Sequence, residues 1–96
     1  MDKMKELTDK IYNTYVSKNA DYGDSFGISV KKYALISALT RMSDKFNRIE
    51  QLIIDGKQNH ESLTDSLEDL ACYCLMTVKE ISPKVEPKIL GREDYD

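Results

Sequence analysis

Apolar residues recur along two stretches of the chain at alternating steps of four and three, the spacing of a helical packing seam. With a shorter segment near the N-terminus, this pattern predicts three helices, over residues 3–17, 30–54 and 59 or 60 to 81. The seam of the second helix consists of Leu35, Leu39, Met42, Phe46, Ile49 and Ile53. The seam of the third helix consists of Leu63, Leu67, Leu70, Cys74, Thr77 and Ile81.

Turn-forming residues separate these helices. Residues 18–27 are rich in Gly, Asp, Asn and Ser and predict an ordered loop, in which Gly23 can adopt a positive φ. Ser29 is the candidate N-cap of the second helix, and Gly56 suits a left-handed cap after its end. The short turn that follows predicts that the second and third helices form a long antiparallel hairpin.

The predicted fold is an all-α, three-helix domain over residues 1–82. Pro83 stops the third helix, and residues 83–96 are expected to form an extended C-terminal tail. Residues 70–78 (LACYCLMTV) carry no charge on any face, and a helix that is apolar all round is buried all round. Since so small a domain cannot cover that segment alone, we expect a homo-oligomer, a dimer or higher, that packs as a helical bundle.

Composition narrows the class of protein. The net charge of −3 over 96 residues lacks the basic footprint of a general nucleic-acid binder. Cys72 and Cys74 lie two apart on a helix and cannot easily bridge each other, so we expect both to be reduced and buried, as in a cytoplasmic protein. No apolar stretch is long enough to cross a bilayer, so no membrane partner is expected.

An acidic row follows the third helix. Glu61, Asp65 and Asp69 are spaced by four, with Glu68 beside them. Like charges at this spacing repel each other, so either a cation compensates the row or water solvates it. The same face continues into Cys72, Tyr73 and Met76, which are not typical of a solvated surface. The pattern leaves both interpretations open.

A basic cluster lies on the second helix. Arg41, Lys45 and Arg48 fall within two turns, together with Asp44. Guanidinium forks match phosphate oxygens, so the cluster is a candidate phosphate site. The alternative is a salt-bridged face in which Arg41 and Arg48 neutralise Asp44 and, as a further option, the acids of the third helix.

The predicted loop carries two aromatic residues, Tyr22 and Phe26, which can either stack on a base or anchor the loop to the core. An ordinary turn needs neither. His60, the only histidine, begins a helix and is given no catalytic role. The sequence contains no Gly-rich phosphate loop, no zinc-type Cys/His set and no nucleophile with a matching base.

Three segments, in this order, resemble the phage-associated nucleotide modification associated domain family, type one. They are KNADYGDSF, RMSDKFNRIEQL and ESLTDSLEDLACY, and they span residues 18–73. The resemblance implies that the chain handles a phosphorylated nucleotide. The nucleotide-binding residues that it implies are Lys18, Asn19, Asp21, Tyr22, Arg41, Lys45 and Arg48.

In this hypothesis each group of residues has its own role. Arg41, Lys45 and Arg48 grip the phosphate, and Tyr22 stacks on the base. Asp65 or Asp69 contacts ribose, base or a metal ion.

The last segment is more distantly similar to the E-E-L-x-D-x-L signature of the all-α nucleotide pyrophosphatases, the MazG and dimeric dUTPase group. That resemblance implies Mg²⁺-dependent hydrolysis, with Glu61, Asp65 and Asp69 as catalytic residues. The metal ligands that it implies are Asp44, Glu61, Asp65 and Asp69. Those enzymes carry a second acidic pair, E-x-x-E, on the preceding helix, whereas here Asp44 stands between Arg41 and Asn47.

Three functions follow from these patterns. The expected one is binding of a phosphorylated nucleotide, either to sequester a host nucleotide signal, as in an anti-defence protein, or to serve nucleotide modification. The alternatives are a Mg²⁺-dependent nucleoside triphosphate pyrophosphohydrolase and a purely structural helical oligomer. The missing second acid favours binding over hydrolysis, and the paired aromatics of the loop count against the structural alternative.

Overall fold

The structure is a computed structural model that describes residues 2–56 and 60–81. Within these residues it contains four α-helices and no strand, so the all-helical class is confirmed and the count of three helices is wrong. The helices are α1 (Lys3–Tyr22), α2 (Ser25–Tyr33), α3 (Leu35–Ile54) and α4 (His60–Glu80).

The stretch predicted as a loop is mostly helical. Helix α1 continues to Tyr22 and ends at Gly23, whose φ is 60° and whose N–H donates to the carbonyl of Asn19. Only Gly23 and Asp24, both left-handed, connect α1 to α2. The turn-forming side chains misled the prediction because Asn and Asp lower helix propensity only slightly, whereas glycine stops a helix. The positive φ predicted for Gly23 is confirmed.

The predicted second helix is two helices, because the helical conformation is interrupted at Ala34. This residue adopts φ 65° and ψ −164°, a conformation that is otherwise almost restricted to glycine. The sequence has no Gly or Pro at this interruption, so the apolar pattern predicted one continuous helix. Ser29 therefore lies inside α2 rather than at a cap, and its predicted capping role is wrong.

Helix α2 provides the centre of the core. Phe26, Val30 and Ala38 are buried, and Leu35, Met42, Tyr73 and Met76 pack around them. The most extensive helix contact is between α3 and α4, while α2 packs on both of them and α1 packs on α4. The short helix thus packs against both long ones, and it carries Phe26, the largest buried side chain of the described residues.

The predicted seam of α3 divides into two edges in the structure. Met42 and Ile49 face inward, whereas Leu39, Phe46 and Ile53 are exposed. Residues three and four apart share a broad stripe on a helix, and only one edge of that stripe meets the neighbouring helices. The other edge stays open in the single chain.

The uncharged segment of α4 is not enclosed by its own chain. Leu75 and Val78 are exposed, and so is Cys74, while Cys72 is partly buried. Both cysteines are free thiols. The prediction that both are buried is therefore wrong for the single chain, and self-association stays a prediction.

The ends of the long helices agree with the sequence patterns. Gly56 follows α3 with φ 65°, as predicted for a left-handed cap, and α4 begins at His60. Residues 57–59, on which the hairpin prediction depends, and residues 82–96, with the predicted tail and domain boundary, lie outside the described residues. None of the helices in the described ranges has the length and hydropathy needed to cross a membrane.

Candidate functional site

A cleft of about 290 Å³ opens between the helices, and residues from all four of them line it. We call it the first cleft. It brings together side chains from each of the three sequence segments singled out above. The predicted site residues in its lining are Lys18, Asn19, Tyr22, Arg41, Lys45 and Asp69.

Aromatic rings form one side of the first cleft. Phe26 stacks on Tyr73 with ring centroids 5.7 Å apart and an angle of 28° between the planes. Phe26 is only 5% exposed, so of the two alternatives for this residue the structure supports the core anchor. Tyr22 is 68% exposed at the cleft and its ring remains accessible to a ligand.

A second cleft, of about 350 Å³, adjoins the first. It shares Arg41, Lys45 and Tyr73 with the first cleft. Its other lining residues are Asp44, Arg48 and Ser66, so α3 and α4 alone build it. The three cations predicted to hold phosphate therefore border one cavity.

The two clefts meet at an ion pair. Lys45 Nζ lies 2.9 Å from Asp69 Oδ2, and both side chains are about one-third exposed. The hydrogen bond to Asp69 raises the pKa of Lys45 above its ordinary value, against the opposing effects of partial burial and of the Arg48 charge. Arg48 is therefore close enough to Lys45 for the two positive charges to repel each other.

The two arginines have no carboxylate partner among the described residues. The Arg41 guanidinium lies over the Phe26 ring, 5.5 Å from its centroid, and donates to Ser29 Oγ at 3.2 Å. Neither Arg41 nor Arg48 forms an ion pair with Asp44 in residues 2–56 and 60–81. The Arg–Asp44 pairs of the salt-bridged alternative therefore do not form in that part of the chain, whereas Lys45 of the same cluster does pair with an acid of α4, Asp69.

The acidic row separates in the structure. Asp69 lines the first cleft, but Glu61 and Asp65 are exposed and line neither cleft. Glu68 also lines the first cleft and accepts a bond of 3.2 Å from Lys10 Nζ.

The carboxylates predicted as metal ligands do not gather into one site in the described part of the chain. No three or more His, Cys, Asp or Glu side chains there are grouped so that they could hold a metal ion. Asp44 lines the second cleft and Asp69 the first, whereas Glu61 and Asp65 line neither. Magnesium binding stays a prediction.

Helix α1 contributes residues that the sequence interpretation did not assign to a site. Ile11 and Tyr15 line the first cleft beside Lys18 and Tyr22. These four follow each other at steps of four, three and four, so continuing the helix through Tyr22 would have placed them on one face. Asp21 falls off this face, is exposed, and lines neither cleft, unlike the other predicted residues of its segment.

Cys72 is a further residue of the first cleft without an assigned role. Burial raises the pKa of its thiol, the Asp69 charge adds to this, and Lys18 opposes it. The pKa of the thiol therefore depends on the charges of Asp69 and Lys18.

These features define an all-helical domain with an aromatic-walled cleft that opens onto a cluster of cations. Residues 18–81 match the family model described as nucleotide modification associated domain 1, and the chain belongs to this family. The match begins at Lys18, the first predicted site residue, and covers every residue of the second cleft. No curated protein and no solved structure matches the chain.

Proposed function

We propose that this protein binds a phosphorylated nucleotide across the two adjoining clefts, with the base in the first and the phosphates toward the second. The observation that carries the proposal is the pair of arginines, Arg41 and Arg48, that border the second cleft with Lys45 and have no carboxylate partner among the described residues. Membership in a nucleotide modification associated family supports the same ligand class.

The second cleft suits phosphate because its charge is unbalanced. Arg41, Lys45 and Arg48 line it with a single acid, Asp44, and Asp69 of the first cleft offsets only the charge of Lys45. Phosphate oxygens accept two parallel bonds from a guanidinium, and such charge-assisted bonds are about twice as strong as neutral ones. A bound phosphate would also relieve the repulsion between Arg48 and Lys45.

The first cleft suits a base or nucleoside. The exposed ring of Tyr22 is free to stack, while Phe26 and Tyr73 hold each other and give the cleft a firm wall. Its volume of about 290 Å³ lies near the lower end of the range for small-molecule sites, roughly 300–1,000 Å³. A nucleotide would therefore extend from it into the second cleft.

Holding the nucleotide is favoured over hydrolysing it. Two-metal hydrolysis needs several carboxylates around the cations. In the described residues the acids are not grouped into a metal site, and Asp69 is already paired with the ammonium group of Lys45. Sequestration of a nucleotide signal, or service to nucleotide modification, requires only the binding step.

Isothermal titration against a mixed panel tests this proposal. The panel contains nucleoside triphosphates, cyclic nucleotides and ADP-ribose, each with and without Mg²⁺. We expect saturable binding of at least one member, weakened about tenfold or more by Arg48→Ala because a charge-assisted bond is lost. Lys32→Ala, which removes an exposed cation that lines neither cleft, is the control and should leave the affinity unchanged.

The same incubations separate the alternatives. A bound nucleotide recovered intact after denaturation supports binding alone. Release of pyrophosphate that Asp69→Ala abolishes would establish the pyrophosphohydrolase instead. Absence of any binding or thermal shift across the panel would leave the structural oligomer.

We also propose that the chain self-associates through its exposed apolar edge. Leu39, Phe46 and Ile53 recur on α3 at intervals of seven, the repeat that joins helices along their length. An exposed apolar row of this length usually marks an interface. Light scattering after size-exclusion chromatography gives the mass, and a monomer at all concentrations would overturn this proposal.

A further inference from the structure

Asp69 lies where the two clefts meet. It lines the first cleft, and its only ion-pair partner in the described residues is Lys45, which lines both. The 2.9 Å bond between them therefore occupies the cation that a phosphate entering the second cleft would use.

A phosphate that binds Lys45 competes with Asp69 for the three N–H donors of its ammonium group. The bond to Asp69 is then shared or lost, and the carboxylate in the first cleft is left less well compensated. Glu68, the neighbouring acid on the helix, is itself paired with Lys10 at 3.2 Å. A partly buried carboxylate that loses its hydrogen-bond donor destabilises the state that contains it.

The negative charge of Asp69 acts inside the first cleft itself. It is one cause of the raised pKa of the Cys72 thiol, after burial. Any anion that enters the cleft without a hydrogen-bond donor meets the same charge. A ligand that brings a donor would instead satisfy the carboxylate.

We propose that Asp69 is a specificity-determining residue that favours phosphates carried on a hydrogen-bond donor over inorganic polyphosphate. The donor is a ribose hydroxyl or an exocyclic amino group of a nucleotide, which replaces Lys45 as the partner of the carboxylate. This inference rests on the proposed nucleotide-binding function. Selectivity then depends on Asp69 exchanging Lys45 for the donor of the ligand, and not on Lys45 alone.

The experiment compares a nucleotide with tripolyphosphate by titration calorimetry in EDTA. The nucleotide is the tightest binder among ATP, GTP, CTP, UTP and ADP-ribose. We expect the native chain to prefer it to tripolyphosphate by about tenfold or more, of which stacking on Tyr22 supplies part and the one-third-exposed Asp69 supplies a several-fold part. In Asp69→Ala, tripolyphosphate should bind several-fold more tightly and the nucleotide more weakly, so the preference narrows to what stacking on Tyr22 supplies.

Two further variants keep the result interpretable. Asp69→Asn removes the charge at almost constant size, and it should also bind tripolyphosphate more tightly if Asp69→Ala folds poorly. Asp65→Ala removes an exposed acid of the same helix that lines neither cleft, and it should leave both affinities unchanged.

Opposite shifts for the two ligands support the inference. Equal strengthening of both would show mere charge repulsion, and equal weakening of both would show a structural role, so either result overturns it. A preference that appears only with Mg²⁺ overturns it too, because Asp69 would then act through a metal. If the native chain binds no nucleotide at all, the proposed function fails first.

Discussion

The two clefts share Arg41 and Lys45, yet they are built in different ways. The second takes four of its six lining residues from α3, so local helical spacing alone places them. The first takes its lining from all four helices and is backed by the buried Phe26. The position of the three cations therefore depends on one helix, whereas the shape of the first cleft depends on the packing of all four. The two clefts should respond differently to substitution.

The largest expected effect comes from removing the anchor of the first cleft. Phe26→Ala should lower the free energy of unfolding by about 3–5 kcal/mol, because a buried ring is lost from the core. Phe46→Ala makes the same substitution at a side chain that is 56% exposed in the single chain and, at concentrations where the chain is monomeric, should cost less than about 1 kcal/mol. Urea denaturation of both variants measures the difference. Equal costs would contradict the comparison and would show that Phe46 is covered.

A smaller effect, on binding alone, is expected at Tyr22. Tyr22→Ala should weaken the nucleotide by roughly tenfold to a hundredfold, the range of base stacking on an aromatic ring, and leave tripolyphosphate unaffected. Tyr33→Ala, at an exposed ring that lines neither cleft, is the matched control. Isothermal titration gives both affinities. Loss of tripolyphosphate binding in Tyr22→Ala would mean that the clefts are not divided as proposed.

The two cysteines give a test within one molecule. Cys72 lines the first cleft and Cys74 does not, so a bound nucleotide should slow alkylation of Cys72 only. Burial and the Asp69 charge raise the pKa of Cys72 above the ordinary 9.0, so its rate should still be rising at that pH. Iodoacetamide labelling with peptide mass spectrometry follows each thiol. Protection of both thiols would point to a global change.

The smallest effect concerns the ion pair at the junction. The pKa of Lys45 is raised in the folded chain, so its contribution to stability is complete below about 10.5 and is lost as the pH rises through the higher, folded value. Since both side chains are about one-third exposed, solvent screening limits it to about 1 kcal/mol or less. Between pH 6 and about pH 9, melting curves of the native chain and of Lys45→Gln should differ by a constant offset. A difference that grows within that range would contradict the assignment.

The sequence predicted the second cleft better than the first. Arg41, Lys45 and Arg48 lie on one uninterrupted helix, so their spacing was enough to bring them together. To predict the first cleft, one would have to know that α1 continues to Tyr22 and that the helix is interrupted at Ala34. Nothing short of tertiary packing marks that break, because alanine is the strongest helix former.

The acidic row shows a second limit of sequence patterns. A step of four residues turns about 40° past a full helical turn, so Glu61 and Asp69 point about 80° apart. That drift is enough to put Asp69 into the first cleft and to leave Glu61 exposed. Equal spacing therefore predicted one continuous row of acids, whereas of Glu61, Asp65 and Asp69 only Asp69 lines a cleft.

The break at Ala34 restricts which residues the chain can carry there. Its methyl group is buried, and its φ of 65° with ψ of −164° disfavours every larger side chain. Glycine would relax the backbone, but it would remove a core methyl and loosen the unfolded chain. Position 34 therefore favours alanine or glycine over every larger residue, and the direction of α2, with Phe26 and Ser29 on it, depends on this one position.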